Sequence, residues 1–236
     1  MKRILFIILM ALIFTQTADA QLFSKERLAN IENFDKNFLT WGYYLGYNSY
    51  DFKFTYNNEL LDTNTDVQVV ADGGFNVGLV GDMRINNHIN LRLEPGLSFT
   101  QRNLRFPRFL EERDALREVK STYIHVPLLV KFSTKRLNNI KPFVVAGIST
   151  SLNLSSNENN PQDNFEGQFR MTRSTNFYEV GFGIDFYLYF FKFTPSIRGV
   201  FAMSDELVPD DDPNSPWTGN IATMKTRGIF LNFTFQ

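Results

Sequence analysis

The sequence predicts an all-β fold: an eight-stranded antiparallel up-and-down transmembrane β-barrel with short turns at one rim and long loops at the other. Three observations predict it. Apolar residues alternate with small or polar ones in eight separate segments, and the connections between those segments alternate between short and long. After the first twenty residues, no uninterrupted apolar run approaches the length of a membrane helix.

The opening stretch MKRILFIILMALIFTQTADA carries Lys2 and Arg3, an apolar run from Ile4 to Phe14, and Ala18-Asp19-Ala20 before Gln21. A charged start, an apolar run too short to span a bilayer and an A-x-A site predict a secretory signal cleaved after Ala20. The chain has no cysteine, so an exported protein of this size must draw its stability from a large core or a closed architecture. Lys and Arg number 24 against 25 Asp and Glu, for a net charge of −1. With no basic stripe, nucleic acid is not an expected partner. Phenylalanine is frequent, 25 of 236 residues, yet mean hydropathy is slightly negative. That combination points to alternation rather than apolar blocks.

The first segment, 39–48, sets Leu39, Trp41, Tyr43, Leu45 and Tyr47 against Thr40, Gly42, Tyr44, Gly46 and Asn48. The second, 75–85, sets Phe75, Val77, Leu79, Met83 and Ile85 against Asn76, Gly78, Asp82 and Arg84. The third, 89–99, sets Ile89, Leu91, Leu93, Leu97 and Phe99 against Asn90, Arg92, Glu94, Gly96 and Ser98. The fourth, 122–132, places Ile124, Val126, Leu128, Val130 and Phe132 opposite Tyr123, His125, Pro127 and Lys131. The fifth, 142–154, is apolar or small on both faces from Phe143 to Ile148. In the sixth, 177–188, Tyr178, Val180, Phe182, Ile184, Phe186 and Leu188 oppose Glu179, Gly181, Gly183 and Asp185. The seventh, 191–202, and the eighth, 227–236, repeat the pattern with Phe193, Ile197 and Phe201, then Ile229, Leu231, Phe233 and Phe235.

Residues 86–88, 133–141 and 189–190 make short links, whereas 57–73, 103–121, 155–175 and 203–225 make long polar ones. A soluble sandwich has no reason to sort its loops in this way; an outer-membrane barrel does. Face chemistry separates the membrane barrel from a soluble β-barrel. The polar face is rich in Gly, Ser, Thr and Asn, which suits a tight interior, while solvated strand faces carry more Lys and Glu. Aromatics cluster near segment ends, so Trp41, Tyr43, Tyr187, Tyr189, Phe233 and Phe235 are expected at the lipid interface. The expected organisation is a signal over 1–20, a polar periplasmic leader over 21–37 and a barrel domain over 38–236. An even strand count with short periplasmic turns puts both termini in the periplasm, and outer-membrane lipid is the surrounding partner.

Parity collects the inward charges: Asp82, Glu94, Glu179 and Asp185 against Arg84, Arg92, Lys131 and Arg198. An eight-stranded barrel is only wide enough for side chains to fill it. Balanced pairing is therefore the expected role, because an unpaired buried charge costs several kcal/mol. A small-ligand or proton path is the alternative. Only His88, in a short turn, and His125, on an inward face, offer imidazole. Neither has an obvious nucleophile beside it in sequence and no G-x-S-x-G occurs, so no enzyme activity and no cofactor is expected. Asp210-Asp211-Asp212 lacks the D-x-D-x-D-G spacing of a calcium loop and is expected to be solvated. EERDALREVK, residues 111–120, is helix-compatible and could equally extend the wall.

NFDKNFLTWGYYLGYNSYDFKF, NLRLEPGLSF, TYIHVPLLVKF, IKPFVVAGIS and SPWTGNIATMKTRGIFLNFTFQ together resemble the PorT family. The resemblance covers nearly all of the chain after the signal, and the first and last of these segments carry it. RLEPGLSF and IHVPLLVKF also resemble the wider outer-membrane barrels of the Bacteroidetes. PorT resemblance implies a non-enzymatic barrel associated with the type IX secretion system, working with other secretion proteins to export cargo bearing C-terminal sorting domains, and with motility in gliding species. It implies no catalytic residue. A stand-alone barrel, structural or binding a small solute, is the other expectation.

Overall fold

The computed structural model describes residues 29–57, 67–159, 169–212 and 215–236; the signal, its cleavage site and residues 21–28 of the leader lie outside them. Among the described residues ten strands form: β1 (Leu39–Tyr56), β2 (Gln68–Ala71), β3 (Gly73–Arg84), β4 (Ile89–Leu93), β5 (Gly96–Arg105), β6 (Leu116–Ser133), β7 (Ile140–Asn153), β8 (Ser174–Tyr187), β9 (Lys192–Ala202) and β10 (Ile221–Phe235). All pairings are antiparallel, and they run full circle: β1 pairs with β3 along one edge and with β10 along the other.

The expected eight strands are present as eight passes, two of them interrupted, and each break has a physical cause. Pro95 has no N–H to give a ladder, so β4 and β5 are separate. The register carries on across it, with Gly81 opposite Leu93 and Gly78 opposite Gly96. Asp72 is different. Gln68 pairs with Arg105 before it and Phe75 with Phe99 after it, a shift of one residue. That is a β-bulge, and it exchanges the faces of β2 relative to β3. Strand β2 is an element that the alternation in 57–73 does not disclose.

Residues 111–120 do both things their sequence allows. A single turn, α1 (Glu112–Ala115), leads straight into β6, whose 18 residues start earlier than the 122–132 alternation suggests. Before β1, a 3-10 turn at Phe34–Lys36 lies at the short-turn rim. Here Asn30 donates to Asn139 and to the Tyr187 carbonyl.

The wall changes character along its height. On β1 the outward residues are Leu39, Trp41, Tyr43, Leu45 and Tyr47, then Ser49, Asp51, Lys53 and Thr55. On β6 they are Glu118, Lys120 and Thr122, then Ile124, Val126, Leu128, Val130 and Phe132. On β10 they pass from Thr223, Lys225 and Arg227 to Ile229, Leu231 and Phe233. The apolar stretch of β6 rises roughly 27 Å at about 3.4 Å per residue. At a tilt of about 40° that is ~21 Å of height, near the ~25 Å apolar band of a membrane barrel. Above the band the interior becomes a core of Phe52, Leu104, Phe106, Val119, Phe169, Met171, Leu207, Trp217, Ile221 and Met224.

Candidate functional site

Inside the apolar band, strand pairing stacks the inward charges at successive heights. Asp82 and Arg92 are cross-strand partners on β3 and β4, and Glu94 follows Arg92 on the same face. Arg92 donates to Asp82 Oδ2 from Nη2 at 2.7 Å and from Nε at 3.2 Å, and to Glu94 Oε1 at 3.4 Å. Glu94 Oε2 in turn accepts from Arg198 Nη1 at 2.7 Å. Arg198 Nε lies 2.8 Å from Glu179 Oε2, an ion pair whose angle falls outside hydrogen-bond geometry. Lys131 donates to Asp185 Oδ2 at 2.6 Å and stands 3.9 Å from Asp82. Thr194 donates to Asp185 Oδ1, and Asn90 to Asp82 Oδ1, both at 2.7 Å. One continuous chain of charge thus runs Asp185–Lys131–Asp82–Arg92–Glu94–Arg198–Glu179, with every member buried.

Inward glycines give these side chains room. A Cβ at Gly96 or Gly78 would collide with the Tyr44 ring or hydroxyl, which crosses the lumen at this height.

Two expected positions are corrected. Arg84 does not join the chain: it sits half-exposed at the short-turn mouth, donating to Asn87 Oδ1 at 2.6 Å and to the Lys36 carbonyl at 3.3 Å. The strand ends there, and the nearest buried acid, Asp82, is already taken by Arg92. Tyr187 is not at the lipid interface. It is only 1% exposed, and its hydroxyl donates to Asp35 Oδ1 at 2.6 Å. Two residues beyond Asp185, it shares that residue's inward face; its nearness in sequence to Tyr189 and Phe190 is misleading. Trp41, Tyr43, Tyr189 and Phe233 are on the outer face, and Phe235 stacks on Tyr43 at 5.3 Å.

These aromatics all belong to the short-turn rim. The opposite girdle, unread in the sequence, consists of Tyr47, Phe75, Phe99, Tyr178 and Phe201 at the upper edge of the band. Phe75 stacks on Phe99 at 4.5 Å and Tyr178 on Phe201 at 5.1 Å. The signal available was their position where the outward face turns polar.

His125 has a nucleophile beside it after all, brought by β7 and not by its own segment. Its Nδ1 is 2.6 Å from Ser151 Oγ and its Nε2 is 2.8 Å from Glu179 Oε1. This is the order of a nucleophile, a base and an orienting acid. Ser151 is 1% exposed, however, and the His125 ring meets Phe177 and Phe230 edge-on. The hydroxyl is thus closed off from bulk solvent.

Other buried polar side chains had no sequence signal beyond parity. Arg102 is fully buried, donates to Thr226 Oγ1 at 3.0 Å and to the Tyr123 hydroxyl at 2.8 Å, and lies 3.9 Å over the Phe52 ring. Glu206 accepts from the Thr226 amide at 2.9 Å and from its hydroxyl at 3.0 Å. Burial pushes the Glu206 carboxyl above its ordinary range. Asp210 is not solvated: Thr218 donates to it at 2.9 Å, Ser215 donates as well, and Arg170 is 3.8 Å away. No cluster of three or more metal-ligating side chains occurs among the described residues.

At the short-turn mouth a cavity of about 250 Å³ opens under the 3-10 turn. Asp35 reaches into this rim, accepting from Tyr187 and standing 3.4 Å from Lys141 Nζ and 3.9 Å from Arg136. Arg136 also lies over the Tyr187 ring at 3.8 Å.

A ring of antiparallel strands with an apolar outer band and a charged interior defines an outer-membrane barrel. The sequence matches the family described as "Outer membrane protein beta-barrel domain" over residues 19–208, and the chain belongs to that family. The match stops short of β10, the strand that completes the circle. Among solved structures, the chain is similar to Neisserial surface protein A (8% identity, covering 83% of this chain and 97% of that one, TM-score 0.44). It is also similar to OprG of Pseudomonas aeruginosa (13%, 84% and 93%, 0.43) and to Ail of Yersinia pestis (17%, 83% and 96%, 0.38). No curated protein matches it.

Proposed function

We propose that this outer-membrane barrel works through its rims and not through its lumen, as a non-enzymatic accessory component of the type IX secretion machinery. The observation that carries the reading is the charge chain from Asp185 to Glu179. An eight-pass barrel has width only for side chains, and here paired charges and Tyr44 take it up. A barrel plugged in this way passes no cargo, so its contacts with other proteins fall to the long loops on one side and to the short turns and leader on the other. The resemblance of residues 33–54 and 215–236 to the PorT family supports the choice of machine.

In this reading the signal is removed after Ala20, both termini and the short turns face the periplasm, and the leader over 21–37 is available to periplasmic partners. Asp82, Arg92, Glu94, Lys131, Glu179, Asp185 and Arg198 hold the lumen shut, while Trp41, Tyr43, Tyr189, Phe233 and Phe235 fix the height of the barrel at the inner interface.

A clean deletion tests the assignment: cargo with C-terminal sorting domains should accumulate in the periplasm, and normal secretion would refute it. Planar bilayers test the plug, which predicts no steady conductance from the purified protein. A stand-alone barrel that binds a small solute is the second reading, favoured by the cavity at the short-turn mouth.

A further inference from the structure

We propose that the short-turn mouth is a binding site for a phosphate group, with Lys192 as its innermost ligand. The proposal does not depend on any role in secretion. Lys192 begins β9 and points inward; it is 4% exposed and lines the mouth cavity. Among the described residues its ammonium makes no hydrogen bond and no ion pair within 4.0 Å. Its Nζ lies 4.7 Å from the face of Phe34, and beyond 4.0 Å it shares the field of the Asp82 and Asp185 carboxylates. A cation so enclosed, with no carboxylate in contact and both of those acids already bonded to Arg92, Lys131 and Thr194, is costly to keep unless an anion joins it.

The surroundings make the same demand. Arg84, Lys135, Arg136, Lys141 and Lys192 line the cavity against only two carboxylates, Asp35 and Asp82. Asp82 is already engaged by Arg92 and Asn90, and Asp35 by Tyr187 and Lys141. Asn87, whose Oδ1 accepts from Arg84, adds a side-chain amide on the same wall.

Size and charge select the ligand. At about 250 Å³ the cavity falls below the ~300–1,000 Å³ of drug-sized sites, so it suits a compact group. The cation excess favours a dianion over a monocarboxylate, and a guanidinium with ammoniums on several sides matches tetrahedral phosphate oxygens. The group could come as free phosphate or as the headgroup of an anionic phospholipid in the adjoining leaflet; the recognition chemistry is shared.

The test uses the full-length barrel in detergent micelles, titrated with inorganic phosphate by calorimetry at constant ionic strength. It is repeated in nanodiscs of phosphatidylglycerol or phosphatidylcholine, following lipid protection of Lys192 from amine labelling. Lys192→Met keeps the stem over Phe34 and removes the charge; Lys53→Gln, on the outer face, is the control. Heat-modifiable gel mobility verifies folding of each variant. Saturable phosphate binding, weakened about tenfold or more in Lys192→Met and unchanged in Lys53→Gln, would establish the site for the free anion. Protection by phosphatidylglycerol alone, with no phosphate titration, would establish it for the headgroup. Absence of both effects, or equal phosphate binding by the folded Lys192→Met variant, would overturn the proposal. If Lys192→Met does not fold, Lys141→Gln is read against the same outcomes.

Discussion

The lower and upper halves of this barrel are built by the same strands with opposite rules. Below the level of Asn48, β1 shows lipid-facing Trp41, Tyr43, Leu45 and Tyr47 and hides small or polar residues; above it, Asp51 and Lys53 face out while Tyr50 and Phe52 are buried. The partner strand turns over at the same height, between Ile229 and Arg227. Interior chemistry follows. The lower lumen is held by ion pairs, the upper one by an apolar cluster around Phe52, Leu104 and Trp217. What the wall meets outside decides which of its faces is apolar. In water the hydrophobic effect drives apolar side chains inward; in lipid it supplies no such drive, and the polar side chains go where they can pair. Arg102 marks the junction, its guanidinium over the Phe52 ring above and its hydrogen bonds on Thr226 and Tyr123.

The contrast can be broken from either end. Arg92→Ala removes the guanidinium from Asp82, leaving it Asn90 and the more distant Lys131, and one of the two from Glu94; it should cost about 3–5 kcal/mol, lowering the urea midpoint of the whole barrel. Full stability with selective loss of secretion would instead make Arg92 a working residue. Phe52→Ala opens a void in the upper core at a similar cost of about 3–5 kcal/mol, but the damage should be local. Hydrogen exchange should show lost protection at the upper ends of β1 and β10, with the lower band unchanged; uniform loss would mean that the two halves melt as one.

A single substitution placed on both sides of the boundary sharpens it. Leu128→Arg, mid-band on β6, should cost about 2–4 kcal/mol, and Thr122→Arg, at the upper edge, about 0–1 kcal/mol. Equal costs in lipid vesicles would remove the boundary. The smallest effect concerns Glu206, whose carboxyl pKa is raised by burial in the upper core. Because the folded value lies above the unfolded one, its stabilising contribution is complete below the unfolded pKa and is lost as pH rises through the folded pKa. Glu206→Gln should therefore leave stability unchanged in acid and raise it slightly at neutral pH. A variant whose midpoint tracks the parent at every pH would exclude that linkage.

Alternation made the lower half legible and hid the upper half. Asp82, Arg92, Glu94, Lys131, Glu179, Asp185 and Arg198 could be grouped by parity alone, since each sits on a strand whose outward neighbours are plainly apolar. Tyr187 departs from its expected place because parity, which sets it on the inward face with Asp185, prevails over aromatic clustering, and Arg84 departs because parity does not say where a strand ends. Strand β2 is hidden because the bulge at Asp72 exchanges its faces, and the upper core because its members come from loops as well as strands. Met171 and Leu207 meet across an isolated bridge that nothing local announces.

The amino-acid order alone determined the all-β fold, the eight passes, the sorting of short and long connections and the sign of each face in the lipid band. These are local properties, set by a period of two and by composition. Only the tertiary structure decided which acid meets which base, that Ser151 comes to His125, and that Asp35 and Phe34 fold over the mouth beside Lys192. Those contacts join residues far apart in the sequence, Tyr187 and Asp35 by 152 positions. They depend on strand register and closure of the ring, which no local pattern encodes.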